Sequence, residues 1–121
     1  MRKRAMLGAI AAGILLSACA SERHSELEQG WDLMVAKDYA AARDHYERML
    51  AEDPTNPWAN LNLGVAYEEL GDKEKAARYY QAAIANGRDA EIGVVAETGN
   101  VAERGTTVET VAQENLRALG S

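Results

Sequence analysis

The spacing of apolar residues between positions 23 and 90 predicts four helices of about 13 residues in two pairs. The segment that follows Pro57 is apolar on two sides. One stripe contains Leu63, Ala66, Tyr67 and Leu70, and the other contains Trp58, Leu61 and Val65. A helix that is apolar on two faces is expected to be covered on both. One face should therefore meet its partner helix, and the other should pack on a neighbouring pair or line an open groove.

Prolines and a glycine mark the ends of these helices. The only two prolines, Pro54 and Pro57, lie between the pairs, where one helix must stop and another start. Asn56 is suited to capping the new helix. Pro57 is suited to its first position, because the missing N–H of proline costs nothing there. Gly71 followed by Asp72 predicts a break in the middle of the second pair.

Residues 23–90 contain two copies of one unit with a period of 34 residues. The second copy carries Leu63, Gly64, Tyr67, Ala76, Tyr80 and Ala83, and the first carries Gly30, Ala42 and Tyr46. Small and aromatic residues at these spacings resemble the tetratricopeptide repeat. The resemblance is weaker at Asn60, where the motif prefers tryptophan, and at Gln29, where it prefers leucine.

The resemblance implies an all-α fold of two helix-turn-helix repeats, residues 23–56 and 57–90, which form a fragment of a right-handed α-solenoid. Small motif residues are expected where paired helices cross most closely. The motif tyrosines are expected to fill the space beside them.

The chain after the second repeat follows a different pattern. Asn86 and Gly87 are suited to end the last repeat helix with a left-handed C-cap. Residues 91–105 contain recurring glycines and predict an irregular connector. These glycines do not follow a strand and precede a helix, so a phosphate-binding loop is not expected.

A final amphipathic helix is expected within residues 106–121, at about 107–119. Thr106 and Glu109 resemble a capping box at its start, and Gly120 is the expected stop. Short repeat stacks usually need a terminal element to cover their apolar end. We expect this helix to cap the second repeat; a degenerate third repeat is the alternative.

Residues 1–18 have the three parts of a bacterial export signal. Arg2, Lys3 and Arg4 form a basic start, residues 5–18 are uncharged, and small residues flank the cleavage site. The uncharged run is short for a bilayer span of ~20 residues. We therefore expect residues 1–18 to be a cleaved signal peptide.

The residues Leu16-Ser17-Ala18-Cys19 resemble the lipobox of bacterial lipoproteins. The resemblance implies an S-diacylglyceryl and an N-acyl group on Cys19, the only cysteine of the chain. Several acyl chains anchor a protein stably where one binds only marginally. Residues 19–22 are then a short linker, and they lack the aspartate that resembles an inner-membrane retention signal. The expected location is the outer membrane, facing the periplasm.

Composition and charge limit the class of function. The 121 residues suffice for one domain, and a net charge of -6 argues against nucleic acid as a partner. His24 and His45 are far apart, and carboxylates such as Glu68 and Glu69 suit exposed pairing better than acid–base catalysis. Neither an enzyme nor a metal or other cofactor is expected.

The resemblance points to the first helix of each repeat as the lining of a groove that binds a peptide. The candidate groove residues are His24, Leu27, Trp31, Met34, Trp58, Leu61, Val65 and Glu68. Exposed Trp and Met side chains are typical anchors of a partner. Leu27 and Trp31 replace polar residues that a carboxylate-clamping groove uses, so that activity is not expected. Alternatively, these apolar residues pack against residues 91–121 or a second copy of the chain.

The sequence therefore favours a lipid-anchored periplasmic adaptor that docks another envelope protein, as small lipoproteins of this resemblance do in pilus or secretion assembly. The alternative is a structural envelope lipoprotein that self-associates through the same apolar face. The identity of the partner is not encoded in any motif that we recognise.

Overall fold

A computed structural model of the protein describes residues 24–92 and 106–120. The predicted signal peptide, Cys19, the linker at 19–22 and positions 93–105 of the connector lie outside the described residues. Within the described ranges the chain forms five helices and no strand, which confirms the all-α prediction. Helix α1 covers residues 24–35, and α2 to α5 cover Tyr39–Glu52, Pro57–Glu69, Lys73–Asn86 and Val108–Leu119.

Polar side chains start the repeat helices where the sequence indicates. Asn56 accepts a hydrogen bond from the backbone N–H of Ala59 at 3.0 Å, and Pro57 occupies the first position of α3, as predicted. Asp38 and Asp72 cap α2 and α4 in the same way. Each cap satisfies an N–H that the first helical turn leaves without a backbone partner.

The turn inside each pair needs one residue with a positive φ. Gly71 has a φ of 88° between α3 and α4, as expected for the break at this position. Lys37, which is 34 residues earlier, adopts a φ of 60° in the equivalent turn between α1 and α2. The two turns therefore share a geometry, although only the second has the residue type that favours it.

Two predictions at the ends of helices are corrected. Gly87 ends α4 with a φ of -103°, outside the left-handed region. A Cβ atom there would collide with the backbone of α4 and lie 2.8 Å from the N atom of Glu109, so glycine is needed for space. Helix α5 is capped by Thr107, which accepts a hydrogen bond from the N–H of Thr110 at 3.3 Å, and not by a box of Thr106 and Glu109.

In each repeat, a tyrosine of the second helix packs directly on a glycine of the first helix. A Cβ atom added to Gly30 would lie 2.5 Å from Cζ of Tyr46, and one added to Gly64 would lie 2.6 Å from Cδ1 of Tyr80. Both rings are fully buried. The paired helices can approach this closely only because the glycines have no side chain.

The other motif residues also lie in the core. Ala42, Leu63, Tyr67, Ala76 and Ala83 are all buried. Leu70, which the apolar stripe of α3 suggested as a core residue, is 42% exposed because it lies at the C-terminal cap of the helix.

Helix α5 packs mainly on α4 and also contacts α3. Its start is joined to the segment that follows α4 by hydrogen bonds from Val108 N to Ala90 O at 2.8 Å and from Glu109 N to Gly87 O at 3.1 Å. Asn62 of α3 donates to the Tyr46 hydroxyl at 3.1 Å. Asn115 of α5 lies near the Tyr80 hydroxyl, where it acts to lower the pKa of that group.

Helix α5 has features of both structures expected for the final helix, namely a cap on the second repeat and a degenerate third repeat. The asparagine contacts give α5 the register that the first helix of a third repeat would have. Two positions after Asn62, α3 has Gly64, but two positions after Asn115, α5 has Arg117. A further tyrosine could not close over that side chain, so α5 ends the stack.

In the ranges that the structure covers, no helix is both long and apolar enough to cross a bilayer.

Replacing Gly64 with alanine is expected to lower the free energy of unfolding by ~1–3 kcal/mol, because the added methyl group overpacks the Tyr80 contact. Helix propensity alone predicts the opposite sign, since alanine is favoured over glycine inside a helix by ~0.5–1 kcal/mol. Urea unfolding followed by far-ultraviolet circular dichroism measures the difference. Gly120→Ala is the matched control, because its new Cβ atom would meet nothing closer than 3.6 Å. A Gly64→Ala protein as stable as the wild type would contradict the close packing.

Candidate binding surface

The predicted binding residues all lie on the first helices of the repeats, α1 and α3. Helix α5 contacts α3 and continues this row of helices. We call the surface of these helices the first-helix face and define it by His24, Leu27, Trp31, Trp58, Val65 and Glu68. A shift of 34 residues places His24 in register with Trp58 and Trp31 in register with Val65. These two pairs therefore occupy equivalent positions on α1 and α3. The equivalents of Leu27 and Glu68 are Leu61 and Met34, which are buried.

Two predicted groove residues are not available to a partner. Met34 is 7% exposed and Leu61 is 6% exposed, and both belong to the hydrophobic core. The expectation that they line an open groove is therefore not met.

The remaining predicted residues retain accessible surface to different degrees. The side chain of His24 is 76% exposed and lies 3.0 Å from Glu28, one helical turn away. Leu27, Trp31 and Val65 are half-buried and pack against the core. Trp58 is 37% exposed, which makes it one of the three exposed large hydrophobic residues of the described chain.

The connector reaches the first-helix face at one point. The indole N–H of Trp58 donates a hydrogen bond to the carbonyl oxygen of Glu91 at 3.1 Å. Glu91 itself forms an antiparallel bridge with Thr107, at the start of α5. The polar edge of the Trp58 ring is thus held in place while more than a third of the residue stays open to solvent.

Tyrosine hydroxyls occupy the gaps between the helices of this face. Burial raises the pKa of Tyr46 above its usual value of 10.0, while the hydrogen bond from Asn62 acts in the opposite direction. Burial also raises the pKa of Tyr80, and the neighbouring Glu68, 3.5 Å from the hydroxyl, raises it further. Sequence reasoning missed Asn115, because residues inserted before α5 break the 34-residue period that would have aligned it with Asn62.

A second concave region, also missed from the sequence, lies between α2 and the turn that joins α3 to α4. It has a volume of about 480 Å³ and is lined by Arg43, Asp44, Glu47, Tyr67, Leu70, Asp72 and Lys75. The Tyr67 hydroxyl donates to Glu47, the Lys75 ammonium lies 5.2 Å from the centre of the Tyr67 ring, and Arg43 pairs with Asp44 at 3.0 Å. Of these contacts, the hydrogen bond between Tyr67 and Glu47 joins the two repeats, and the other two lie within one repeat.

His45 makes a contact between two helices. Its Nε2 atom lies 2.6 Å from the carbonyl oxygen of Glu26, so the ring joins α2 to α1. Among the residues that the structure describes, no cluster of three or more histidine, cysteine or acidic side chains could hold a metal ion.

The paired helices, the glycine–tyrosine contacts and the shared face define a helical-repeat protein. A family profile described as tetratricopeptide repeat matches residues 33–94, which is half of the chain. The chain therefore belongs to the tetratricopeptide repeat family. Members of this family generally mediate protein–protein interactions and are typically non-enzymatic scaffolds. A search of curated proteins found no match to the chain.

The buried tyrosines predict a loss of stability in alkali. Burial first, and then acidic neighbours, raise the pKa values of Tyr67 and Tyr80, and burial raises that of Tyr46. The folded state thus holds these protons more tightly than the unfolded state. Their contribution to stability is complete below pH 10.0, the unfolded value, and is lost as pH rises through the higher folded values.

We therefore expect tyrosinate absorbance to rise together with loss of helical circular dichroism above pH 10.0. Tyr46→Phe removes one of the three linked protons, so its stability should depend less steeply on pH in this range. Complete tyrosine ionisation at the usual pKa with the helices intact would contradict the burial of these hydroxyls.

Proposed function

We propose that this chain is a lipid-anchored protein of the bacterial envelope that docks a segment of another envelope protein on its first-helix face. The observation that carries the proposal is the 37% exposure of Trp58 on a first helix of the repeat stack. A large aromatic side chain in this position offers much contact area at a small cost in conformational entropy. Membership of a family that mediates protein interactions supports the same role.

The proposed anchor follows from the lipobox resemblance at Leu16-Ser17-Ala18-Cys19. Five chain steps from Cys19 to His24 can reach at most ~18 Å. The repeats would then lie close to the membrane surface, where partners that are themselves membrane-bound are concentrated. We place the protein on the outer membrane, facing the periplasm, and propose that it assists the assembly of an envelope complex such as a pilus or secretion system.

The docking face can be tested by photocrosslinking in cells that produce the full chain. A photoreactive amino acid at His24, whose side chain is 76% exposed, should form a discrete product with the partner. Adding Trp58→Ala should reduce its yield about fivefold or more, since anchoring tryptophans contribute upward of ~1 kcal/mol. Leu70→Ala is the control, because Leu70 is similarly exposed at 42% but lies at the turn after α3.

Equal yields from Trp58→Ala and Leu70→Ala proteins would contradict docking at Trp58. A product of twice the chain mass would support the alternative of a structural lipoprotein that self-associates through this face.

The proposed anchor predicts that a Cys19→Ser protein loses its lipid modification. The wild type should enter the detergent-rich phase when a nonionic detergent separates from water, because its acyl chains partition into micelles. The Cys19→Ser protein has no thiol to receive the diacylglyceryl group, so its lipid-modified form should disappear. Mass spectrometry of the amino-terminal peptide measures the modification directly. An unmodified Cys19 in the mature wild-type protein, or a chain that still begins at Met1, would contradict the proposed anchor.

A further inference from the structure

Acidic and basic residues are divided between the two kinds of helix in the described chain. Helices α1, α3 and α5 together carry seven acidic side chains and one basic side chain, Arg117. Helices α2 and α4 carry four acidic and five basic side chains. The helices that build the first-helix face are therefore strongly acidic, and the helices behind them are nearly neutral.

Several of these acidic residues fall on or beside the first-helix face. Glu28 lies one helical turn from His24, with its side chain 66% exposed. Glu68 is part of the face itself and is half-buried beside the Tyr80 hydroxyl. Glu114 is exposed on α5, at the position that the register of α5 makes equivalent to Leu27 of α1 and to the buried Leu61 of α3.

The first-helix face also presents tryptophan side chains, whose rings can bind a positively charged group. Trp58 is 37% exposed, and Trp31 lies half-buried on the neighbouring first helix. Neither α1 nor α3 has a lysine or arginine among its described residues. A guanidinium or ammonium group from a partner can stack on an indole ring and pair with a nearby carboxylate at the same time.

We infer that the segment docked on the first-helix face is a cationic peptide in which lysine or arginine residues are interspersed with apolar residues. This inference rests on the proposed docking function and specifies the chemistry of the partner. Opposite charge accelerates the encounter and orients the bound segment, while like charge excludes acidic segments. The apolar residues of the peptide would cover the open parts of Trp31 and Trp58.

The test compares two charge-reversal variants of the full chain, purified in nonionic detergent with a detergent-only blank. Glu28→Lys with Glu114→Lys changes the first-helix face, and Glu52→Lys with Glu74→Lys makes the same change of net charge on α2 and α4. The probe is a fluorescent synthetic peptide of lysine, leucine and alanine. Its counterpart has glutamate in place of every lysine. Fluorescence anisotropy gives the Kd of each pair, and circular dichroism checks that each variant is folded.

The lysine peptide should bind the wild type, with a Kd that rises as salt is added. The reversal on the first-helix face should raise that Kd about tenfold or more, equivalent to ~1.4 kcal/mol, and the control reversal by less than about threefold. The glutamate peptide should not bind. Equal weakening by both variants, equal binding of both peptides, or failure of the lysine peptide to bind the wild type would each overturn the inference.

The photocrosslinking experiment separates this inference from the proposed function. Suppose that the product formed at His24 is lost with Trp58→Ala but persists when Glu28 and Glu114 are reversed. Docking on the face would then stand, and selection of a cationic partner would fail.

Discussion

The fold depends on two buried tyrosines that each join three helices. Tyr46 and Tyr80 pack their rings on Gly30 and Gly64 of the preceding helix, where no Cβ atom could fit. Their hydroxyls then meet asparagine side chains on the following helix. Each tyrosine therefore sets both the distance between the two helices of its repeat and the position of the helix that follows. This brings the first helices together on a common face.

The same constraint explains how the stack ends. Asn115 of α5 lies near the Tyr80 hydroxyl, in a place that corresponds to Asn62 of α3, which donates a hydrogen bond to the Tyr46 hydroxyl. Helix α5 carries Arg117 where the next glycine would be, so the contact cannot be repeated. One side of such a helix can pack on the apolar end of the second repeat. Its other side, which carries a long charged side chain, remains in contact with solvent.

The start of α3 was predictable from the sequence, whereas the start of α5 differed by one residue from the expected capping box. Asn56 and Pro57 define the start of α3 because capping requires only neighbouring residues. The burial of Met34 and Leu61 was not predictable in this way, since it depends on which helices lie beside them. Gly87 illustrates a different difficulty: a left-handed cap and a lack of space both select glycine, and only the structure distinguishes them. The lipobox and Cys19 stay a prediction because they lie outside the described residues.

Nuclear Overhauser contacts of the Tyr80 ring would test the central claim most directly, namely that one tyrosine joins the second repeat to α5. The account predicts contacts to the Hα atoms of Gly64 and to the side-chain amide of Asn115 in the same protein. Contacts to Gly64 without any to Asn115 would show that α5 does not take the position of a following repeat helix, and would contradict the account.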